Sequence, residues 1–194
     1  MAITMNKVLG EVFGPTEGTA RVAKDVALVL AGIAALALAA KIRVPMWPVP
    51  ITMQTFAVLT IGAGLGLRLG LITLLGYIAL GAAGLNVFTG ENAGLAYLAG
   101  PTGGYLLGFV VAAGAMGLLA RRGWDRTVAG MAGAMLIGTA IIYAFGLAGM
   151  AYLFLAEKGA AWVLQYGMLN FLVGDALKLA LAALVVPGLW KLAR

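Results

Sequence analysis

The 194-residue chain contains no cysteine, no histidine and no serine. Without cysteine there are no disulfides, thiolate metal sites or thiol nucleophiles, and without histidine there is no imidazole acid–base chemistry and no supply of the commonest transition-metal ligand. A serine-based triad is excluded for the same reasons. No Gly-x-x-x-x-Gly-Lys-Ser/Thr string occurs, so the chain cannot cradle ATP phosphates by that route and does not power anything alone. The glycines of "GAGLGLRLG" (62–70) lie in no strand–turn–helix unit and are read as close helix packing. Charge is also scarce: only 10% of residues are Asp, Glu, Lys or Arg. Function is left to carboxylate, amine, amide, hydroxyl and aromatic groups, and no cofactor or metal is expected.

What is abundant is apolar surface. The chain is 63% hydrophobic with 29 glycines, and its mean hydropathy is +1.03, which identifies an all-α integral membrane protein. Lys7, Glu11, Glu17, Arg21, Lys24 and Asp25 interrupt the first 25 residues, leaving no apolar stretch for a cleavable signal peptide. Residues 1–25 are therefore expected to be an uncleaved cytoplasmic segment ahead of one membrane domain, 26–192. The isoelectric point near 9.8 could suggest nucleic acid, but the basic residues are scattered at the ends of apolar segments and read as a topology signal.

A spanning helix needs about 20 mainly apolar residues, fewer where neighbours shield its ends. Six spans are predicted, over 26–40, 54–67, 69–85, 105–120, 128–155 and 169–192, forming a single bundle without internal repeats. With both termini inside, nine basic residues (Lys7, Arg21, Lys24, Arg68, Arg121, Arg122, Arg126, Lys191 and Arg194) face three outside (Lys41, Arg43 and Lys158). That asymmetry orients the bundle in the cytoplasmic membrane, although "KIRVP" runs against it.

Polar groups enter the apolar body at one end. "KIRVPMWPVPITMQT" (41–55) has Pro45, Pro48 and Pro50 around Trp47, followed by Thr52, Gln54 and Thr55, and must be a stiff extended loop. "GLNVFTGENAGLAYLAGPTGGY" (84–105) carries Asn86, Glu91, Asn92, Tyr97, Thr102 and Tyr105 yet is too apolar for a free aqueous loop. Such backbone is tolerated at this depth only against protein or a cavity, so both loops are expected to fold over the outer end of the bundle. Asp175 and Lys178 lie near that end, three residues apart and so on one helical face. They can be a self-neutralising structural pair, but such a pair gains little from burial, and intramembrane ionisable groups usually mark a substrate path.

A second pattern is the four-residue spacing of Ala23, Ala27, Ala31, Ala35 and Ala39 in the first span. Small-xxx-small stripes let helices approach closely in lipid, either within this bundle or against another protein.

The strings "VPITMQTFAVLTIGAGLGLRLG", "GYIALGAAGLNVFTG", "GPTGGYLLGF" and "GDALKLALAAL", in that order, resemble the BioY family of biotin-binding S components of energy-coupling factor (ECF) transporters. Where that family commonly reads Gly-Leu-Pro-Val-Phe, Asn86 replaces the proline, and "TGENAG" stands where glycines are usual. The resemblance implies a six-helix receptor that binds biotin near its outer face, with Asp175 and Lys178 as binding residues. It also implies that the stripe Ala27, Ala31, Ala35 and Ala39 docks a transmembrane T component, with two cytoplasmic ATPase subunits completing the complex. Biotin suits the residues at hand. Asp175 can accept from the ureido N–H groups, and the amides Asn86, Asn92 and Gln54 can give and accept. Trp47, Phe88, Tyr97 and Tyr105 can wall the rings, beside Thr102, and Lys178 can meet the valerate or pair with Asp175. A secondary carrier or channel for a small organic anion is the alternative, though carriers usually show paired repeats with broken helices. An intramembrane enzyme would have only Asp175 and Glu91 as acid or base.

Overall fold

In apolar surroundings a backbone must satisfy its own hydrogen bonds, and helix is the local way to do so. The computed structural model describes residues 7–192 and is helical almost throughout; Arg194 of the basic tally lies outside the described residues. In chain order α1 is Leu9–Val12 and α2 is Gly18–Lys41. A two-stranded hairpin of β1 (Arg43–Val44) and β2 (Ile51–Thr52) follows, then α3 (Gln54–Ala82) and α4 (Leu95–Leu98). The remainder is α5 (Gly103–Arg121), α6 (Val128–Lys158), α7 (Ala160–Gly167) and α8 (Leu172–Leu192), with single 3-10 turns at Trp124–Arg126 and Leu169–Phe171. Five segments are long and apolar enough to cross a membrane: 18–41, 54–82, 103–121, 128–158 and 160–192.

The second of these is not straight. Gly66 adopts φ +76° and ψ −178° inside α3, a conformation open essentially to glycine. There the helix doubles back into two antiparallel arms. Gln54 Nε2 donates to the Tyr77 hydroxyl at 2.8 Å, whereas 23 residues of straight helix would separate them by about 35 Å. The turn falls where the sequence predicts a break between two spans. α5 lies against both arms, and a Cβ on Gly62 would sit 2.6 Å from the Ala113 carbonyl oxygen and one on Gly117 2.3 Å from the Leu67 nitrogen. Close backbone approach of this kind holds helices together where lipid removes the hydrophobic driving force.

The first span begins at Gly18, eight residues before the predicted Val26. Arg21 and Asp25 pair at i,i+4 on its polar first turns, which a hydropathy reading passes over. The last begins at Leu172 rather than Leu169, and α7 occupies residues read from sequence as a connection. The first connection is a short hairpin instead of a plain extended loop, and the second contains the single turn α4.

These elements give the molecule two unlike ends. Lys41, the hairpin, the 83–102 loop, α7 and the start of α8 gather at one. At the other are Lys7, Arg21, Lys24, Arg68, Arg121, Arg122, Arg126 and Lys191. The basic end is fastened by the Arg121–Glu11 ion pair at 2.6 Å and by Trp190 Nε1 donating to Asp125 Oδ2 at 2.7 Å.

Candidate functional site

A small cavity lies between the hairpin, the 83–102 loop and the helix ends beneath them. Its apolar wall includes Leu106 and Phe109 of α5, Ile142 of α6, Phe171, and Val49 and Pro50 of the hairpin loop. Polar groups reach it as two networks that start from consecutive residues.

Thr55 begins the first. Asp175 Oδ1 accepts from Lys178 Nζ at 2.9 Å and from the Thr55 hydroxyl at 3.2 Å, while Thr55 Oγ1 accepts from Lys178 at 2.9 Å. Tyr143, from the middle of α6, donates a short hydrogen bond to Asp175 Oδ2. The ionic side chains are 9% and 10% exposed, so this is a desolvated pair, neutral as a unit, with every polar atom engaged. An ammonium has three N–H groups; two are used here, leaving one for an acceptor in the cavity.

Gln54 begins the second network. Its Oε1 accepts from Thr89 at 3.1 Å and its Nε2 donates to Tyr77, whose hydroxyl donates in turn to the Val87 carbonyl at 3.0 Å. Successive helical residues point about 100° apart, so one turn of α3 sends Gln54 to the loop and Thr55 to α8. Tyr105 donates to the Gly167 carbonyl at 2.6 Å, tying α5 to the end of α7. This contact depends on Gly146, where a Cβ would lie 2.2 Å from the Tyr105 ring.

Six of the residues singled out from sequence line the cavity: Asp175, Lys178, Gln54, Tyr97, Thr102 and Tyr105. Four lie outside its lining. Asn86 accepts from Lys41 Nζ at 2.7 Å, and Asn92 donates to the Thr89 carbonyl at 2.8 Å, so both brace the loop. Phe88 is 1% exposed and stacks on Tyr97 at 4.8 Å over Gly81, where no Cβ would fit. Trp47 is 65% exposed and packs with Phe154 and Trp162 on the outside of the hairpin. Lys41, against the charge trend in the sequence, binds Asn86 and the carbonyls of Phe88 and Gly90; it is a clamp on the second loop.

Tyr143, Thr89, Thr52 and Thr55 are the polar cavity residues outside the binding set expected from sequence. A tyrosine inside an apolar helix carries no distinguishing pattern, and a threonine can satisfy itself on its own helix, as Thr60 does on the Phe56 carbonyl at 2.7 Å. The proposed docking stripe divides. Ala27, Ala31 and Ala35 are exposed, whereas Ala39 is buried beside Ala40 and Leu36. Four residues advance about 400° around a helix, so an i+4 row drifts some 40° per step and turns inward by its fourth member.

The BioY family profile matches residues 6–194. A probable biotin transporter BioY from Pyrococcus horikoshii is 38% identical over 167 residues, spanning 86% of this chain and 96% of that one. The biotin transporter BioY of Thermotoga maritima is 36% identical, spanning 85% and 96%. Among solved structures, the S-component for biotin from an ECF-type ABC transporter superposes with a TM-score of 0.75 at 23% identity, covering 90% of this chain and 95% of that one, a likeness of fold. With the profile spanning nearly the whole chain and these relatives sharing more than a third of the aligned residues, the protein belongs to the BioY family.

Proposed function

We propose that this protein binds biotin in the cavity under its two loops and carries it across the cytoplasmic membrane as the S component of an ECF-type transporter. One observation carries the ligand assignment within the family: a desolvated carboxylate and ammonium, 2.9 Å apart, present an acceptor and a spare donor side by side at the wall of the cavity. The ureido group of biotin offers the complement, an N–H donor next to a carbonyl acceptor. Its thiophane ring meets Phe109, Ile142 and Phe171, and the valerate leads toward the loops. Asp175, Lys178, Gln54, Tyr97, Thr102 and Tyr105 act at the ligand, and Asn86, Asn92, Phe88 and Trp47 act on the loops above it.

In this reading the two arms of α3 count separately and the chain crosses the membrane six times, with both termini and the basic end in the cytoplasm. The absence of any nucleotide loop assigns the energy to separate ATPase subunits, and the exposed Ala27, Ala31 and Ala35 serve as the docking face for a T component. Calorimetry on the purified protein tests the ligand: saturable binding of biotin is expected, and binding of biotin methyl ester should remain sensitive to substitution of Asp175. An ester whose affinity no longer depends on Asp175 would place the valerate, not the ureido ring, at the ion pair.

A further inference from the structure

At the end opposite the ligand cavity, a charged cleft opens into an apolar groove. The cleft is lined by Lys7, Arg21, Lys24, Arg68 and Arg121 against Glu11 and Asp25. The groove runs on between α2 and the second arm of α3, walled by Val22, Val26, Val29, Leu30 and Ile72, with Glu17 also in its lining. Arg21, Asp25, Arg68 and Leu69 line both, so the two spaces are continuous.

The charges of the cleft are unevenly matched. Glu11 is held by Arg121 at 2.6 Å, and Asp25 meets Arg21 at 3.8 Å. Lys24 Nζ donates to the Gly10 and Phe13 carbonyls at 3.1 and 3.3 Å. Arg68 has no hydrogen bond or ion pair among the described residues, and its side chain is exposed where cleft and groove join. An uncompensated guanidinium at the foot of an apolar channel along two membrane helices matches a molecule with an anionic oxygen head and a hydrocarbon tail.

We propose that the cleft and groove bind one anionic phospholipid, its phosphate against Arg68 and Arg21 and an acyl chain along Val22, Val26, Val29 and Ile72. A free anion would use the cleft and leave the groove empty. The continuity of the two spaces and the excess of cations therefore select a lipid.

The test uses the full-length protein in mild detergent, offered equal amounts of phosphatidylglycerol and phosphatidylcholine with the same acyl chains, with retained lipid read by native mass spectrometry. Phosphatidylglycerol should be retained more than fivefold over phosphatidylcholine. Arg68→Gln should lower that ratio about fivefold, the effect of one basic contact near an anionic surface, and Arg68→Lys should preserve most of it. Equal retention of the two lipids by the wild-type protein overturns the proposal whatever the variants do. So does an unchanged ratio in Arg68→Gln, or complete loss of the phosphatidylglycerol adduct in millimolar inorganic phosphate, which would mean a site for free anions. Biotin affinity measured on the same preparations reports separately on the ligand cavity, which shares no residue with this site.

Discussion

At the scale of single residues, Asp175 is the group on which the cavity turns. Both of its oxygens are engaged, one by Lys178 and Thr55 and the other by Tyr143, so its carboxylate plane is held before any ligand arrives. Asp175→Asn would turn an N–H toward a donor of the ligand and leave Lys178 without its counter-charge. Biotin binding should weaken by about 2–4 kcal/mol, the range for a lost charged hydrogen bond and its unpaired partner, and calorimetry on the folded variant checks this; wild-type affinity would remove Asp175 from the site. Tyr143→Phe is gentler. It keeps the ring and removes one donor, and a loss of about 1–2 kcal/mol is expected, with the melting temperature measured beside affinity to separate orientation of Asp175 from loss of fold.

At the scale of elements, the turn at Gly66 and the outer face of α2 have distinct parts. Gly66→Ala would force a Cβ into a left-handed conformation and to within 3.1 Å of Val8. The cost is about 1–3 kcal/mol of stability, seen as a lower melting temperature in detergent, and Gly66→Asn should be no milder, because ψ −178° lies outside the left-handed helical well that asparagine tolerates. Ala31 and Ala35 are exposed and remote from the cavity lining. Replacing both with Leu should leave biotin affinity intact while abolishing copurification with a T component, because close approach of backbones has no substitute in lipid. Intact complex formation in that double variant would show that this face is not the docking surface. The 83–102 loop is anchored by Lys41 and Gln54, and its hydrogen exchange should slow on adding biotin if its remaining freedom is what the ligand removes.

At the scale of the whole molecule, one buried acid ties the basic end together. Asp125 is 1% exposed between α5 and α6, and its Oδ2 accepts from Trp190 at the end of α8. Burial raises its pKa above the ordinary carboxylate range, with the Trp190 hydrogen bond and Arg126 opposing. The fold therefore binds this proton more tightly than the unfolded chain does, so stability should fall as pH rises from the ordinary carboxylate value through the raised one. Asp125→Asn keeps an acceptor for Trp190 and removes the titration. Its melting temperature relative to wild type should be higher at pH 7 than at pH 4, and a difference that does not change with pH would refute the assignment.

What the sequence alone determined follows from solvent and local geometry. Apolar composition demands helices, the distribution of lysine and arginine sets two unlike ends, and an Asp and a Lys three apart in an apolar run announce a site because their desolvation needs a reason. Of the residues named for the ligand, Asp175 and Lys178 from that pair and Gln54, Tyr97, Thr102 and Tyr105 from the two loops line the cavity. The tertiary structure decided what depends on where a side chain meets a distant one. Asn86 and Trp47 have the right chemistry, but the clamp of Lys41 and the ring cluster with Phe154 and Trp162 direct them away from the cavity. Tyr143 and Thr55 enter only because α6, α8 and the first arm of α3 converge on one carboxylate across 32 and 120 residues of sequence. Ala39 leaves its row because the 3.6-residue period carries it inward, and the reversal at Gly66 is completed by contacts with α5 and Val8. Spacing along the chain reports only the near side of each contact, and packing supplies the other.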